Sequence, residues 1–144
     1  MAPLSRGALR LHSSDPTALP IVDTGYLSDQ DDADLSVLMN GIELAREIAR
    51  QRPLANLIGE ELPASARWVG REDVRAACLH YYHPVGTCKM GPVSDPGAVV
   101  DALGRVHGTD NVYVADASVI PTIPRANTNL PTLVVAERLV EGLT

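Results

Sequence analysis

The chain has 144 residues, a formal net charge of −6, 45% apolar residues and no Phe. This length suits one domain, or part of a larger one, with a core of aliphatic side chains. The negative charge argues against nucleic acid as a partner, and the lack of about 18 consecutive apolar residues argues against a membrane span. Cys78 and Cys88 form neither a disulfide framework nor a CxxC motif, so we expect buried free thiols in a reducing, cytoplasmic compartment.

The first third of the chain predicts two extended segments and one long helix. Residues 5–12 alternate as a short strand does, and residues 19–22 predict an edge strand or extended segment because Pro20 interrupts them. Ser28 is the predicted N-cap of a helix that runs to about Gln51, where Pro53 stops it. Apolar residues at steps of three and four predict one buried stripe on this helix: Leu35, Leu38, Met39, Ile42, Ala45 and Ile48.

The rest of the chain predicts two further helices with strands and loops between them. Residues 71–81 show a helical pattern, and Pro84 biases His83 toward extended geometry just past that helix. Residues 99–101 and 111–115 are strand candidates, whereas residues 119–125 carry two prolines and are expected to be irregular. A last helix is predicted over residues 131–142, with Thr128 or Asn129 as its cap and free amides at its start.

Two segments carry the residues that suggest chemistry. The first, His83-Pro-Val-Gly-Thr-Cys-Lys-Met-Gly91, offers an imidazole beside a turn, and the second, Asn127-Thr-Asn129, offers two amide side chains before a helix. A neutral imidazole can take a proton near pH 7, and an amide both donates and accepts hydrogen bonds. Over a bound cofactor, such a pair can deprotonate an alcohol and hold the resulting oxygen.

Each of these residues also has a plainer interpretation. His83 can be a structural histidine inside a turn, and Asn129 can be a simple helix cap. No His spacing suggests a metal site: His80 and His83 are separated from any third ligand, and Pro84 breaks the helix beside them. The chain also has no Gly-x-Gly-x-x-Gly fingerprint, so it lacks the usual means of binding a dinucleotide.

An ordered set of motifs over nearly the whole chain resembles the C-terminal region of the glucose-methanol-choline (GMC) oxidoreductases, FAD enzymes that oxidise alcohols. The motifs stand in this order: Ser5-Arg-Gly, Asp15-Pro, Tyr26-Leu-Ser, His83 to Gly91, Val99-Val-Asp, Arg105-Val-His-Gly, Val112-Tyr-Val-Ala-Asp-Ala-Ser, Ile120-Pro, Asn127-Thr-Asn, Pro131-Thr and Ala136-Glu-Arg. The resemblance implies an α+β fold: the substrate-domain portion of a GMC oxidoreductase, with antiparallel strands plus helices. It also implies a final strand, loop and helix that pack on an FAD-binding domain.

The resemblance also implies roles for individual residues. His83 matches the catalytic histidine of the family, which acts as the base on the substrate hydroxyl. Asn129 matches the second catalytic position, where it would bind the substrate oxygen. Asp116 matches a flavin contact, although it can equally form a turn before Ser118. The positions that match the flavin-binding residues of the family are Asp116, Ala117, Asn127, Thr128, Pro131 and Thr132.

On this resemblance, residues 1–144 are expected to be the catalytic C-terminal part of an FAD-dependent, choline dehydrogenase-like alcohol oxidase or dehydrogenase. The substrate would be a small-molecule alcohol, and FAD would be gripped by an N-terminal half or by a separate FAD-binding subunit. The chain would then be a fragment or one subunit of a split enzyme. The alternative is a non-catalytic partner-binding subunit or remnant that lacks the FAD-binding half. Since some family members are lyases, the reaction type stays open.

Overall fold

The computed structural model describes residues 3–143, which divide into two compact units, Pro3–Leu79 and residues 80–143. The described residues form two strands and three α-helices: β1 (Ala8–Arg10), β2 (Ile21–Asp23), α1 (Ala33–Ala49), α2 (Arg71–Ala77) and α3 (Asn129–Glu141). Short 3-10 turns lie at Leu54–Asn56, Ser65–Arg67 and Ala117–Val119. A small antiparallel sheet combined with helices confirms the expected α+β class.

The sheet of the first unit consists of β1 and β2, which pair antiparallel with Ala8 opposite Asp23 and Arg10 opposite Ile21. Both predicted extended segments are therefore strands, although each is only three residues long. Nearly all of their side chains are exposed, so this ribbon has no covered face among the residues of its own unit. A lone two-stranded ribbon is marginally stable, so it depends on what packs around it.

Helix α1 begins later than the sequence predicts, and Ser28 is not its cap. The first helical amide, that of Ala33, donates to the carboxylate of Asp29 at 2.5 Å, so Asp29 supplies the acceptor. The Ser28 amide donates instead to the Ser5 hydroxyl at 3.0 Å. Asp32 precedes the helix with left-handed backbone, φ 50° and ψ 31°. Ser5 lies far away in sequence, so local patterns could not reveal this arrangement.

Asp32 also joins α1 to α2. Its carboxylate accepts hydrogen bonds from Arg75 at 2.8 Å and Arg71 at 2.9 Å, and Arg75 donates to the Leu27 carbonyl at 3.1 Å. Beneath these ion pairs lies a core of Leu27, Leu35 and Val74, with Leu38, Met39, Ile42, Trp68 and Cys78 packed against it. The predicted stripe on α1 is thus buried in its first half, whereas Ala45 and Ile48 are exposed within the first unit.

Helix α2 is shorter than the predicted 71–81. It ends at Ala77 because Cys78 turns to extended backbone, with ψ 121°. The Asp73 carboxylate accepts the Gly70 amide at 2.9 Å and so fixes the start of the helix. Tyr81, the last residue of the predicted range, therefore lies beyond the helix end. Pro84 restricts only its immediate neighbour, so it gives no local signal for the earlier exit at Cys78.

The second unit is built around a small core of Val100, Val119 and Leu139, with Met90, Val99, Val106, Val114, Ala115 and Val135 packed against it. The predicted strands over 99–101 and 111–115 are wrong as continuous strands, since only isolated bridges form there: Met90 with Val100, Val100 with Val106, and Arg105 with Tyr113. The Asp101 carboxylate accepts the amides of Leu103 and Arg105, and Gly104 has φ +75°. This tight turn interrupts the ladder. Of the residues 119–125 that were predicted to be irregular, 120–125 are, whereas Val119 ends the 3-10 turn Ala117–Val119.

Cys78 and Cys88 are both free, as expected, but each is only partly buried. Within residues 3–143, none of the helices has the length and apolar character needed to cross a membrane.

Candidate active site

His83 lies on the loop that follows α2, at the beginning of the second unit, and its side chain is half-buried. The ring of Tyr81 stands nearly edge-on to the imidazole, with ring centroids 5.4 Å apart and planes inclined by 73°. No hydrogen bond to the imidazole occurs among residues 3–143. Tyr81 is a neighbour that the sequence prediction missed because it placed this residue inside a helix.

The loop that carries His83 is bonded along its length to the 3-10 turn Ala117–Val119. The amide of Gly86 donates to the Ala117 carbonyl at 3.4 Å, that of Cys88 to Ser118 at 3.0 Å and that of Met90 to Val119 at 2.9 Å. Gly86 has φ +83°, which favours glycine, and an added Cβ would lie 3.2 Å from the Ile120 carbonyl. The motif after His83 is therefore fixed to the motif around Asp116.

Asp116 forms the turn that starts this segment. Its carboxylate accepts hydrogen bonds from the amide of Ser118 at 2.8 Å and from the Ser118 hydroxyl at 2.5 Å. Of the two interpretations of Asp116, the turn-forming one is thus directly visible. The second carboxylate oxygen, Oδ2, has no hydrogen-bond donor within the described residues, and Asp116 is exposed. A contact with a flavin stays a prediction.

Thr128 occupies the N-cap position of α3, as one of the two predicted alternatives, but the side-chain hydrogen bond at this helix start comes from Asn127. The side-chain oxygen of Asn127 accepts the amide of Asn129 at 3.1 Å, whereas Thr128 makes no side-chain cap. Thr128 is 8% exposed, and its carbonyl accepts both the amide of Thr132, at 2.9 Å, and the Thr132 hydroxyl, at 2.7 Å. The exposed side chain of Asn129 forms no hydrogen bond within residues 3–143, so it is available to a ligand.

Helix α3 attaches these residues to the same turn that holds the His83 loop. It packs against Ala117–Val119, and Leu139 anchors it in the core beside Val119. The loop after His83 and the helix that begins at Asn129 are therefore mounted on one segment of backbone. The structure brings the two predicted catalytic segments into one compact unit.

The start of α3 offers the kinds of chemical group that a flavin ring would need, namely a hydrogen-bond donor, an amide side chain and apolar side chains. Free backbone amides were expected from Asn129 to Thr132. The amides of Asn129 and Thr132 already have acceptors, and Pro131 has no N–H. Among residues 3–143, only the Leu130 amide of this run is therefore left without an acceptor. This amide and the Asn129 side chain suit a polar ring edge. The exposed apolar side chains of Leu130, Leu133 and Val134 lie on the same helix and suit apolar surface.

The family model described as GMC oxidoreductase, for the C-terminal region of that family, matches residues 3–136. The chain therefore belongs to the GMC oxidoreductase family, as the motif order predicted.

Several relatives extend this finding. An uncharacterized GMC-type oxidoreductase of Mycobacterium bovis is 39% identical over 146 residues, covering 98% of this chain and 27% of the relative. Oxygen-dependent choline dehydrogenase 1 of Chromohalobacter salexigens is 38% identical over 145 residues, covering 98% of this chain and 26% of the relative. The solved FAD-dependent oxidoreductase from Chaetomium thermophilum superposes with a TM-score of 0.77 at 27% identity, covering 99% of this chain and 25% of that one. The chain thus spans about a quarter of the length of these relatives.

Proposed function

We propose that this chain is the catalytic C-terminal part of an FAD-dependent, choline dehydrogenase-like alcohol oxidoreductase that acts on a small-molecule alcohol. The observation that carries the proposal is the set of three backbone hydrogen bonds from Gly86, Cys88 and Met90 to the turn Ala117–Val119. These bonds, with the packing of α3 on the same turn, hold the His83 loop and the Asn129 helix on one support. A reaction that needs a base and an oxygen-binding group at fixed positions requires such a support.

In this proposal His83 is the general base, and an imidazole nitrogen takes the proton of the substrate hydroxyl. Positioned bases of this kind typically contribute about 10²–10⁴-fold to the rate. The flavin, when bound, supplies the two-electron acceptor for the carbon that loses hydrogen. The Asn129 amide donates a hydrogen bond to the substrate oxygen as negative charge develops there. Asn cannot titrate, so His83 carries the proton alone.

The FAD-binding residues of the proposal are Asp116, Ala117, Asn127, Thr128, Pro131 and Thr132. Hydrogen bonds of Asn127, Thr128 and Thr132 already order the start of α3, which supports a role in shaping that surface for the cofactor. The free Oδ2 of Asp116 and the Leu130 amide supply an acceptor and a donor.

The two free thiols also suit a cytoplasmic location for this chain.

The proposed partner is the FAD-binding half, present in the same polypeptide or as a separate subunit. Leu130, Leu133 and Val134 are 72%, 55% and 68% exposed and stand at steps of three and four along α3. They therefore form one apolar face, which we call the α3 face. Contiguous exposed apolar surface marks an interaction site. The relatives have about three quarters of their length outside the region that this chain matches, so the FAD-binding half is the proposed cover for this face.

A non-catalytic subunit that binds a flavoprotein would expose the same α3 face. The two functions differ in what happens after assembly, because only the catalytic one gives flavin reduction by an alcohol that depends on His83. The first measurement is the visible spectrum of the chain purified alone and after co-expression with an FAD-binding half. Flavin bound only after co-expression supports assembly across the α3 face.

The decisive experiment is rapid-mixing reduction of the flavin in that assembly, compared for wild type, H83A and H12A. We expect H83A to slow reduction by about 10²–10⁴-fold. H12A removes an exposed imidazole of the first unit, and this variant should reduce flavin at the wild-type rate. A wild-type rate for H83A in a flavin-loaded assembly would refute the base assignment and favour the non-catalytic function.

A further inference from the structure

The segment between α2 and the His83 loop contains two ring pairs. His80 and Tyr82 stack edge-on, with centroids 4.4 Å apart and planes inclined by 87°. Tyr81 and His83 form the second pair, at 5.4 Å and 73°. Both separations lie at or near the range of edge-to-face aromatic contacts, about 4.5–7 Å. Only the second pair involves the imidazole of the proposed site.

The backbone that carries these rings has an unusual conformation. Tyr82 lies between Tyr81 and His83 and has φ +58°, which is uncommon for a bulky residue. Such conformations persist where the surrounding structure demands them, and they cluster at functional sites. Tyr82 lies in the chain between Tyr81 and His83, whose rings contact each other. The left-handed turn at Tyr82 therefore sets how the Tyr81 ring approaches the imidazole.

The contact with Tyr81 matters because His83 has little else to orient its ring. A catalytic base is usually oriented by a third group that bonds to it. Among residues 3–143, no side chain or carbonyl hydrogen-bonds to the His83 imidazole. The imidazole of His107, by contrast, is held by a 3.0 Å hydrogen bond with the Gly91 carbonyl. An aromatic ring at the edge of an imidazole restricts its rotation without bonding to either nitrogen.

We infer that Tyr81 is a positioning residue for His83, holding the plane of the imidazole through ring contact so that both nitrogens stay available for proton transfer. The inference rests on the proposed function of His83. Tyr81 is 81% exposed, so the ring is not needed to fill the core of its own unit. This exposure separates a role in orienting His83 from a role in folding.

The test compares Y81L, which removes the ring, with Y81F, which keeps it and loses only the hydroxyl. Both are measured in the flavin-loaded assembly with an alcohol that wild type oxidises. Because a displacement of about 1 Å can cost about 100-fold, we expect Y81L to lower the limiting rate of flavin reduction about 10-fold. The half-saturating alcohol concentration should stay unchanged, and Y81F should retain the wild-type rate. If Y81L assembles poorly, Y81M supplies a second ring-free side chain.

A second measurement does not depend on turnover. In assemblies labelled with ¹³C-histidine, the ring of Tyr81 should shift the His83 ring signals, identified by their loss in H83A. The shift should vanish in Y81L and persist in Y81F. Unchanged His83 signals in Y81L would show that the ring contact is not formed and would overturn the inference.

H83A, measured in parallel, separates the two hypotheses. A wild-type rate in H83A would defeat the proposed function, and the inference with it. A collapsed rate in H83A beside a wild-type rate in Y81L would leave His83 as the base and reject Tyr81 as its positioning residue. Equal slowing in Y81F and Y81L would assign the effect to the hydroxyl and also reject positioning by the ring.

Discussion

The backbone amide of Met90 donates a 2.9 Å hydrogen bond to the carbonyl of Val119, which is fully buried in the second core. Through this bond the far end of the His83 loop is fixed to the most protected point of the unit. A loop attached at a buried position has less freedom than one attached at the surface, so the position of His83 is tied to the stability of that core. The following predictions separate residues that build this support from residues that use it.

Asn127 and Asn129 should have different roles although they are two residues apart. N127A removes the acceptor for the Asn129 amide, so we expect the free energy of unfolding to fall by about 0.5–2 kcal/mol. N129A removes a side chain without a hydrogen bond in residues 3–143, so stability should be unchanged. In the flavin-loaded assembly, N129A should slow flavin reduction about 10²–10³-fold, as loss of an oxyanion donor does. Melting curves measure the stability of each variant, and rapid mixing measures its rate of flavin reduction. A stable but slow N127A beside an unstable but fast N129A would exchange the two roles.

Gly104 and Gly108 provide a matched pair for the turn between the isolated bridges. Both have left-handed backbone, with φ +75° and +79°, so alanine costs about 1–2 kcal/mol at either position. At Gly104 an added Cβ would also lie 2.6 Å from the Val114 carbonyl, whereas nothing lies within 4 Å at Gly108. We therefore expect G104A to lower the melting temperature clearly more than G108A. Equal melting temperatures would show that the backbone relaxes around residue 104.

The first unit should lose stability in acid through Asp32. Hydrogen bonds from Arg75 and Arg71 hold the pKa of Asp32 below its ordinary value. A carboxylate with a lowered folded-state pKa stabilises the fold above its unfolded pKa of about 3.9, and this contribution is lost as the pH falls through the folded value. D32N keeps a residue that tolerates left-handed backbone but removes the charge. We expect D32N to be less stable at pH 7 and to lose less stability than wild type below about pH 4.

Thermal melts between pH 7 and pH 2 check this prediction, with D31N as the control. Asp31 is exposed and forms no ion pair in the described part of the chain, so D31N should follow the wild-type curve. Hydrogen bonds to their carboxylates also lower the pKa values of Asp95 and Asp101. Burial raises the pKa of Asp34, but hydrogen bonds from Ser5 and Leu4 together lower it further, so all three carboxylates should leave part of the acid slope in D32N. Identical slopes in D32N and wild type would remove Asp32 as a cause.

The two sides of α3 should respond differently to substitution. Leu139 is 6% exposed, so L139A should lower the free energy of unfolding by about 2–5 kcal/mol. L133D places a charge on the α3 face, where it should leave the core of the second unit intact and abolish assembly with an FAD-binding half. We also expect the isolated chain to self-associate through this face, and L133D to reverse this. Sedimentation and co-purification measure both, and a sharp two-state melt of monomeric wild type would argue against an uncovered interface.

Sequence patterns gave the parts of the fold that depend on neighbours along the chain. The stripe on α1 correctly identified Leu35, Leu38, Met39 and Ile42, because helical periodicity is a local property. The start of α1 was missed because the acceptor for its first amide, that of Ala33, is the carboxylate of Asp29 and not the hydroxyl of Ser28. The predicted strands failed because the amides of Leu103 and Arg105 donate to the Asp101 carboxylate, and this turn at Gly104 interrupts the strand pairing.

The candidate site shows the same division. The roles predicted for His83 and Asn129 rest on motif order, which needs no geometry, and they stay predictions. Thr128 was correctly among the predicted caps, but the side-chain acceptor at the helix start is Asn127, because three polar residues in a row look alike in sequence. Tyr81 was missed because the exit from α2 at Cys78, and the left-handed backbone at Tyr82, have no local signal that distinguishes them from helix.

The loop 92–99 leaves the site segment and returns beside it, where the amide of Gly91 donates to the Val100 carbonyl at 3.0 Å and the amide of Val99 to the Lys89 carbonyl at 2.8 Å. Lys89, before the loop, forms an ion pair of 2.7 Å with Asp95 inside it, and the Asp95 carboxylate accepts the Gly97 amide at 2.8 Å. Because the loop is closed at its base, its length is independent of the spacing between His83 and the turn at Ala117–Val119. Residues inserted at Val93 or Ser94 would therefore lengthen the surface without disturbing that spacing, which makes this loop a suitable place to graft a reporter peptide.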